Sequence, residues 1–249
     1  MEPVLMCCNV SVDFDGFYAL QRADLKVYPH EVRFLIGPNG AGKTTLLDVI
    51  CGKTRASGGK VLFYSHDITN MPEHKIVRVG ISRKFQSPSF FHQLTLWENM
   101  EIALKQDRRL FAVLRAKMSE TDRDMIITLL QRIELLDYAD QKAGSLSHGQ
   151  KQWLEIGMQL IQFPKLLLLD EPIAGMSTAE RERTGELIHE IARDCAVVIV
   201  EHDMDFVRRF SKQVTVMHEG KVLCEGTMED IQQNEKVVEI YLGREEKAC

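Results

Sequence analysis

The chain has 249 residues, of which 45% are hydrophobic and 27% are charged. This composition can bury a substantial core in one large domain, which excludes a wholly disordered protein. The net charge of −5 excludes a global positive field that would attract nucleic acid, and leaves only a local basic patch open. The longest apolar runs, at 166–169 and 195–200, are too short to span a bilayer, so we expect other chains to supply any membrane span.

The cysteine pattern bears on the redox compartment. The six cysteines form no C-x-x-C pair and no spacing typical of a metal site. We therefore expect reduced thiols, as in a cytosol.

The N-terminal segment predicts an antiparallel sheet. Apolar and polar residues partly alternate over 4–14, a turn follows at Asp15-Gly16, and residues 25–28 predict a second short strand. Phe14, Phe17 and Tyr18 lie just upstream of a glycine-rich segment. One of them could stack on a nucleotide base, and these aromatic residues could equally belong to the core.

Residues 34–45 read FLIGPNGAGKTT, an apolar strand followed by a glycine-rich turn and a helix start. The part from Gly37 to Thr44 fits the pattern of a phosphate-binding loop. Backbone N–H groups in such a turn form an anion cradle, and the following helix adds the positive end of its dipole. We expect Lys43 to reach the outer phosphates and Thr44 to ligate Mg²⁺.

The middle of the chain changes from mixed to helical periodicity. Residues 60–64 predict a strand, a helix signal begins at Pro72, and 80–86 predict another strand that ends on the polar Gln86. From 94 to 163, apolar residues recur at three- and four-residue steps. We interpret this stretch as a mostly helical lobe inserted into an α/β core.

Within that lobe, Leu146-Ser-His-Gly-Gln150 starts a long helix. Ser147 and Gln150 have the spacing of a capping box, so an ordinary helix start explains them. The Ser hydroxyl, the Gly149 amide and the helix dipole could also form a second anion site. Both interpretations stay open from the residues alone.

Two further strands place polar side chains at their carboxyl ends. The apolar run 166–169 leads into Asp170 and Glu171, which favours a buried parallel strand ending at a ligand crevice. Asp170 would hold Mg²⁺, directly or through water, and Glu171 would act as general base on the attacking water. Residues 196–200 predict a neighbouring strand, after which His202 can donate a hydrogen bond to a γ-phosphate.

The C-terminal third predicts a helix and a hairpin. Ser177 and Glu180 form a capping box that opens a helix. Residues 214–217 and 221–224 predict a hairpin, and 227–242 predict a short helix or two.

The phosphate loop, Gln86, the signature segment Leu146–Gln150, LLLLDEP and His202 stand in the order and approximate spacing of an ATP-binding cassette ATPase domain. The chain resembles that family over essentially its whole length. The resemblance implies a single domain, 1–249, with a P-loop NTPase (RecA-like) α/β core plus antiparallel β lobe at approximately 1–86 and 164–249. The helical lobe would be approximately 87–163.

The resemblance also implies ATP and Mg²⁺, with ATP sandwiched head-to-tail between two such chains. The resemblance assigns catalytic roles to three residues. Glu171 would activate the attacking water, Gln86 would sense Mg²⁺ and water, and His202 would hold the γ-phosphate. The metal positions would be Thr44, Gln86 and Asp170. The nucleotide-binding positions would be Phe14, Gly37, Pro38, Asn39, Gly40, Ala41, Gly42, Lys43, Thr44, Thr45, Ser147, Gly149 and Gln150. Ser147 and Gly149 would serve the opposite subunit's nucleotide, and Phe17 is the rival of Phe14 for adenine.

Two residues depart from the family pattern. His148 stands where the family has Gly, which adds a bulky side chain near developing phosphate charge. If His148 had a positive φ, its backbone would be strained by roughly 1 kcal/mol. Ser177 stands where most relatives have an Asp that communicates across the dimer. We expect activity to persist, and the Ser to affect coupling between sites.

Within the family the chain resembles the branched-chain amino-acid and amide importer branch, through residues 174–176 and the closing Tyr241-Leu242-Gly243. Residues 82–88, 146–158 and 200–207 most resemble an ATPase subunit of urea importers. The resemblance implies urea as solute, with a branched-chain amino acid or another amide as the alternative. It also implies two transmembrane permease subunits, a solute-binding protein, and a peripheral location on the cytoplasmic face of the cell membrane.

The sequence also bears on other roles. Phe90, Phe91, Leu94 and Trp97 could form a docking groove for the membrane subunits or the core of their own lobe. A soluble ATPase acting on ribosomes or DNA is disfavoured by the single copy of the domain and the lack of sustained heptads. The presence of Glu171 and Lys43 disfavours a regulatory subunit that binds ATP at a catalytically inactive site. We expect no nucleic-acid partner.

Overall fold

The computed structural model describes residues 1–83, 90–104 and 118–242. The chain divides into two compact units. The α/β unit contains Met1–Arg83, Lys165–Pro172 and the described residues from Ile188 onward. The helical unit contains the described residues between Lys84 and Pro164, together with Ile173–Leu187.

The elements have the following bounds. The strands are β1 Leu5–Phe14, β2 Phe17–Val27, β3 Val32–Ile36, β4 Gly58–Phe63, β5 His66–Asp67, β6 Ile81–Arg83, β7 Leu166–Asp170, β8 Ala196–Val200, β9 Gln213–His218 and β10 Lys221–Gly226. The helices are α1 Lys43–Ile50, α2 Glu73–Val79, α3 Leu96–Leu104, α4 Glu120–Arg132, α5 His148–Leu160, α6 Thr178–Ile191, α7 Met204–Phe210, α8 Met228–Gln233 and α9 Glu235–Leu242. None of the helices in the described part of the chain is long and apolar enough to cross a membrane.

An antiparallel sheet with the strand order β2-β1-β4-β5 forms one layer of the α/β unit. β1 and β2 are joined at Asp15 and Gly16, whose φ angles of 51° and 94° suit the tight turn that the sequence predicted. The predicted strand at 25–28 is only the end of β2. Register shifts interrupt the pairing of β1 with β2, so the alternation that reveals a strand is broken in the sequence.

The second sheet has the order β10-β9-β3-β8-β7-β6 and is parallel from β9 to β6. Every residue of β3, β7 and β8 is buried, as expected for parallel strands covered on both faces. β9 and β10 form the predicted hairpin. Because parallel strands end at the same edge, the segments after β3, β8 and β7 lie side by side there.

The helical unit is held together by the apolar faces that the sequence periodicity predicted. Met100 of α3 and Ile126 and Leu130 of α4 belong to the predicted pattern and are fully buried, and Leu96, which the pattern did not include, is buried as well. Ile173–Leu187 groups with this unit in addition to the described residues of the predicted lobe 87–163. The predicted fold class, α/β with an antiparallel sheet and a helical part, is confirmed.

Candidate nucleotide-binding site

The glycine-rich loop connects β3 to α1 in a backbone conformation that needs glycine at two positions. Gly37 and Gly42 have φ angles of 151° and 97°. A Cβ atom on Gly37 would lie 2.2 Å from the carbonyl oxygen of Met217, and one on Gly42 would lie 2.6 Å from that of Ala19. Gly42 also offers no side-chain cap to α1, which leaves the first amides of the helix for an anionic ligand.

Lys43, the first residue of α1, folds over this loop. Its Nζ donates hydrogen bonds to the carbonyl oxygens of Gly37 and Pro38, at 2.8 and 3.1 Å. Burial lowers the pKa of Lys43, while the nearby carboxylates of Glu171 and Asp170 act in the opposite direction. The Lys43 ammonium group thus lies over the glycine-rich loop and interacts with the two carboxylates at the end of β7.

The remaining predicted loop positions lie between β3 and the first turn of α1. Ala41 donates its N–H to the carbonyl oxygen of Pro38 at 3.1 Å, and its own carbonyl accepts the N–H of Gly220 at 3.0 Å. Thr44 is exposed in the first turn of α1. The other positions in the same stretch are Asn39, Gly40 and Thr45.

Asp170 ends β7 with a side chain that is only 1% exposed. Its Oδ2 lies 3.3 Å from the Arg83 guanidinium, whereas Oδ1 is buried without a hydrogen-bond partner among the described residues. Burial raises the pKa of Asp170, whereas the Arg83 guanidinium and the Thr44 hydroxyl act to lower it. A buried carboxylate oxygen that lacks a donor, close to a threonine hydroxyl, is a donor set that fits Mg²⁺.

Arg83, at the end of β6, was not predicted as a site residue. Its guanidinium binds the carboxylate of Asp48 on α1 and that of Asp170 on β7, and lies 3.4 Å from the Cys51 sulfur. The side chain is 4% exposed. The available signal was a charged residue inside a strand pattern, three positions before Gln86. Gln86 itself lies outside the described residues.

Glu171 adopts a left-handed backbone conformation with φ 48° immediately after β7. Its N–H donates to the carbonyl oxygen of Val200 at 2.9 Å, which joins it to the neighbouring strand β8. A non-glycine residue in this conformation is strained by about 1 kcal/mol, and such strain is concentrated at functional sites. The carboxylate is 41% exposed, so it is accessible to a ligand.

His202 follows β8 and lies beside Glu171. Its Nδ1 is 3.5 Å from the Glu171 carboxylate, and its side chain is 65% exposed. The backbone N–H of His202 donates to the carboxylate of the buried Glu201 at 3.2 Å. The fold thus brings Lys43, Asp170, Glu171 and His202 to one edge of the parallel sheet.

The aromatic residues of the N-terminal hairpin are on the surface. Phe14 and Phe17 face each other across the turn and are 53% and 68% exposed. The alternative that either residue belongs to the core is therefore wrong. Their stacking on adenine stays a prediction.

In the helical unit, the signature segment begins α5 with a complete capping box. The Ser147 hydroxyl accepts the N–H of Gln150 at 3.2 Å, and the Gln150 side chain accepts the N–H of Ser147 at 2.9 Å. The helix-start interpretation is therefore confirmed. Gly149 is buried, and a Cβ atom there would lie 2.3 Å from a carboxylate oxygen of Glu180.

His148 makes contacts that the sequence did not reveal. It is the first residue of α5 and does not have a positive φ, so the strain that we considered is absent. Its Nε2 donates to the carbonyl oxygen of Ala174 at 2.9 Å, because a carbonyl can only accept. The imidazole packs on Gly175, where a Cβ atom would lie 3.1 Å from the ring.

The four residues considered for docking have different environments within the helical unit. Phe90 is 6% exposed and belongs to the core, whereas Phe91 is 55% exposed. Leu94 and Trp97 are half-buried. Phe91 is thus the member of the set that is open to a partner.

Comparisons with known proteins agree with this architecture. The family model described as ABC transporter matches residues 20–174, and the model described as Branched-chain amino acid ATP-binding cassette transporter matches 221–247. The chain is 35% identical to the high-affinity branched-chain amino acid transport ATP-binding protein LivG of Escherichia coli (strain K12), over 97% of this chain and 98% of that protein. It is 37% identical to the probable LivG of Archaeoglobus fulgidus, over 98% and 96%.

Solved structures give the same result. The ADP conformation of the ATP-binding cassette MJ1267 has a TM-score of 0.86 and 32% identity, and the match covers 98% of this chain and 100% of that chain. A dimeric post-hydrolysis state of the cassette MJ0796 bound to ADP and Pi has a TM-score of 0.75 and 25% identity, with 90% and 98% covered. The chain belongs to the ATP-binding cassette transporter family, as an ATP-hydrolysing subunit of the branched-chain amino acid importer type.

Proposed function

We propose that this subunit couples hydrolysis of Mg²⁺-bound ATP to uptake of a branched-chain amino acid or a closely related small amide. The observation that carries this proposal is the similarity to LivG proteins, which extends over 97% of the chain. Urea, the solute that the motifs first suggested, has no support from these relatives and rests on three short segments only.

Binding of the nucleotide is assigned to the edge formed by β3, β7 and β8. The loop amides and the start of α1 bind the phosphates, and Lys43 exchanges its bonds to the loop carbonyls for bonds to phosphate oxygens. Phe14 stacks on the adenine, with Phe17 as the rival. The exposure of both rings supports this role.

The residues that would hold Mg²⁺ are Thr44, Asp170 and Gln86. The unpartnered Oδ1 of Asp170 supports this assignment. When bound, Mg²⁺ supplies neutralisation of the charge that develops on the transferred phosphoryl group.

The attack of water is assigned to Glu171 and His202. Glu171 accepts a proton from the water as general base, which its exposed carboxylate permits. His202 faces Glu171 with Nδ1, so its Nε2 remains for the γ-phosphate.

A second ATPase chain, identical or related, completes the site in a head-to-tail dimer. Ser147, Gly149 and Gln150 of one chain serve the nucleotide held by the other. Their place at the start of α5 supports this role, because a helix N-terminus favours anions. Hydrolysis then reopens the pair, and two permease subunits convert the motion into alternating access, with a solute-binding protein delivering the solute.

The subunit is therefore assigned to the cytoplasmic face of the cell membrane, as a peripheral protein. Phe91 is the residue that we assign to contact with a permease, because it is a large apolar side chain exposed to solvent.

Uptake measurements test this proposal. Cells that lack this chain are supplied with labelled leucine or labelled urea, and carry the parent chain or Lys43→Ala. We expect leucine uptake to be lost without the chain, restored by the parent and not restored by Lys43→Ala. Loss of urea uptake with normal leucine uptake would overturn the proposed solute, and unchanged uptake of both would overturn the importer role.

A further inference from the structure

The carboxylate of Glu180 joins two segments of the helical unit. Glu180 lies in the first turn of α6, where its Oε2 accepts hydrogen bonds from the N–H and the hydroxyl of Ser177, at 2.9 and 2.8 Å. Its Oε1 accepts the hydroxyl hydrogen of Ser147 at 3.2 Å. One carboxylate thus connects the start of α6 to the signature segment at the start of α5.

Neighbouring contacts hold Glu180 in this position. The absence of a side chain on Gly149 leaves room for the carboxylate, since a Cβ atom there would lie 2.3 Å from Oε1. One turn after Glu180, the buried Thr184 accepts a hydrogen bond from the indole N–H of Trp153 on α5, at 2.9 Å. The contact between Ser147 and Glu180 is therefore accompanied by a second side-chain hydrogen bond between α5 and α6.

The charge of Glu180 fixes the direction of the hydrogen bond from Ser147. Hydrogen bonds from Ser177, and more weakly from Ser147, hold the pKa of Glu180 below its ordinary value. The carboxylate is then ionised at neutral pH and can only accept. The single hydroxyl hydrogen of Ser147 is consequently given to Glu180.

We propose that Glu180 is a positioning residue that acts through Ser147 and opposes the approach of a phosphate group to the signature segment. This inference rests on the proposed function, in which Ser147 serves the nucleotide of the opposite subunit. A phosphate oxygen that binds Ser147 must compete with Glu180 for one hydroxyl hydrogen. The phosphate and the Glu180 carboxylate would then both lie next to the same hydroxyl, and two anions so close together repel each other. Glu180 therefore raises the ATP concentration at which two subunits pair.

Pairing is measured by analytical ultracentrifugation as a function of ATP, in a Glu171→Gln background that is expected to retain ATP. Glu180→Gln removes the charge while its amide can still cap α6. We expect the ATP concentration for half-maximal pairing to fall about fivefold or more. Glu186→Gln is the matched control, because it removes an equal charge from an exposed position of α6 that binds Arg183.

A second variant protects the test against a folding defect. Glu180→Asp keeps the charge and the cap, as Asp122 and Asp230 do at the same position of their own capping boxes in this chain. The shorter side chain withdraws from Ser147, so we expect pairing to strengthen here as well. If pairing strengthened in Glu180→Gln but not in Glu180→Asp, the charge of Glu180 alone would explain the result, and the role of the Ser147 hydrogen bond would be overturned.

Hydrolysis kinetics separate positioning from a structural role. In an otherwise parental chain, we expect Glu180→Gln to lower KM for ATP and leave kcat nearly unchanged. Unchanged or weaker pairing in Glu180→Gln would overturn the inference. Failure of the Glu171→Gln chain to pair at any ATP concentration, while it binds ATP, would instead overturn the proposed function.

Discussion

The guanidinium of Arg83 lies 3.3 Å from the carboxylate of Asp170 and also binds Asp48, so one buried cation connects β6, β7 and α1. Removal of one partner from a buried ion pair leaves the remaining charges uncompensated. We expect Arg83→Met to lower the free energy of unfolding by about 3 kcal/mol, as measured by chemical denaturation.

A control for this prediction is Arg208→Met, which removes an exposed arginine paired with Asp205 on α7. Its effect is expected to stay below about 1 kcal/mol. Equal effects of the two substitutions would contradict a central role for Arg83.

Asp170→Asn is expected to abolish ATP turnover but to stabilise the protein, because Arg83 keeps Asp48 as its partner after this substitution, whereas Arg83→Met takes the buried cation away from two carboxylates. Because burial raises the pKa of Asp170, the folded state favours the protonated carboxyl more than the unfolded state does. The contribution of the Asp170 carboxyl to the free energy of unfolding is therefore fully present below the pKa that it has in the unfolded chain, and it is lost as the pH rises through its pKa in the folded protein. Asparagine resembles the neutral form at every pH.

Unfolding free energies of parent and Asp170→Asn, measured at acidic pH and at pH 7, check this sign. The advantage of the variant is expected to grow as pH rises. An advantage that shrinks with rising pH would mean that Arg83 outweighs burial at this carboxylate.

Lys43→Ala is expected to abolish ATP binding or turnover, because Lys43 supplies the ammonium over the phosphate loop. Isothermal titration calorimetry with ATP measures the binding, and a phosphate-release assay measures the turnover. Lys60→Ala, at an exposed position of β4, serves as the matched control. Parental binding and turnover in Lys43→Ala would exclude this loop as the phosphate site.

His148→Gly is expected to retain ATPase activity and to lose thermal stability corresponding to about 1 kcal/mol, because the hydrogen bond to Ala174 disappears. Thermal unfolding and phosphate release are measured on the same preparation. Complete loss of activity in a folded protein would show that the imidazole takes part in the reaction.

The sequence predicted those site residues that follow from strand periodicity and local spacing. Asp170 and His202 come together because parallel strands end at one edge of a sheet, and the capping box of Ser147 depends on residues three positions apart. The contacts of Arg83 with Asp48 and of Glu180 with Ser147 join residues that are 35 and 33 positions apart. No local pattern encodes such pairings, because they depend on how the elements pack.

The exposure of Phe14 could not be predicted for a related reason. Alternation assigns a side chain to one face of a strand, and Val10 and Val12 of β1 are indeed buried. Phe14 is the last residue of β1, next to the hairpin turn, and is exposed there.

The central claim is that Glu171 activates the water that attacks ATP. The direct test is the rate of ATP hydrolysis by purified Glu171→Gln, compared with the parent at saturating ATP and Mg²⁺. We expect the rate to fall by about 10² or more while ATP binding is retained, because the amide keeps the shape of the side chain and cannot accept a proton. Hydrolysis at the parental rate would contradict the assignment.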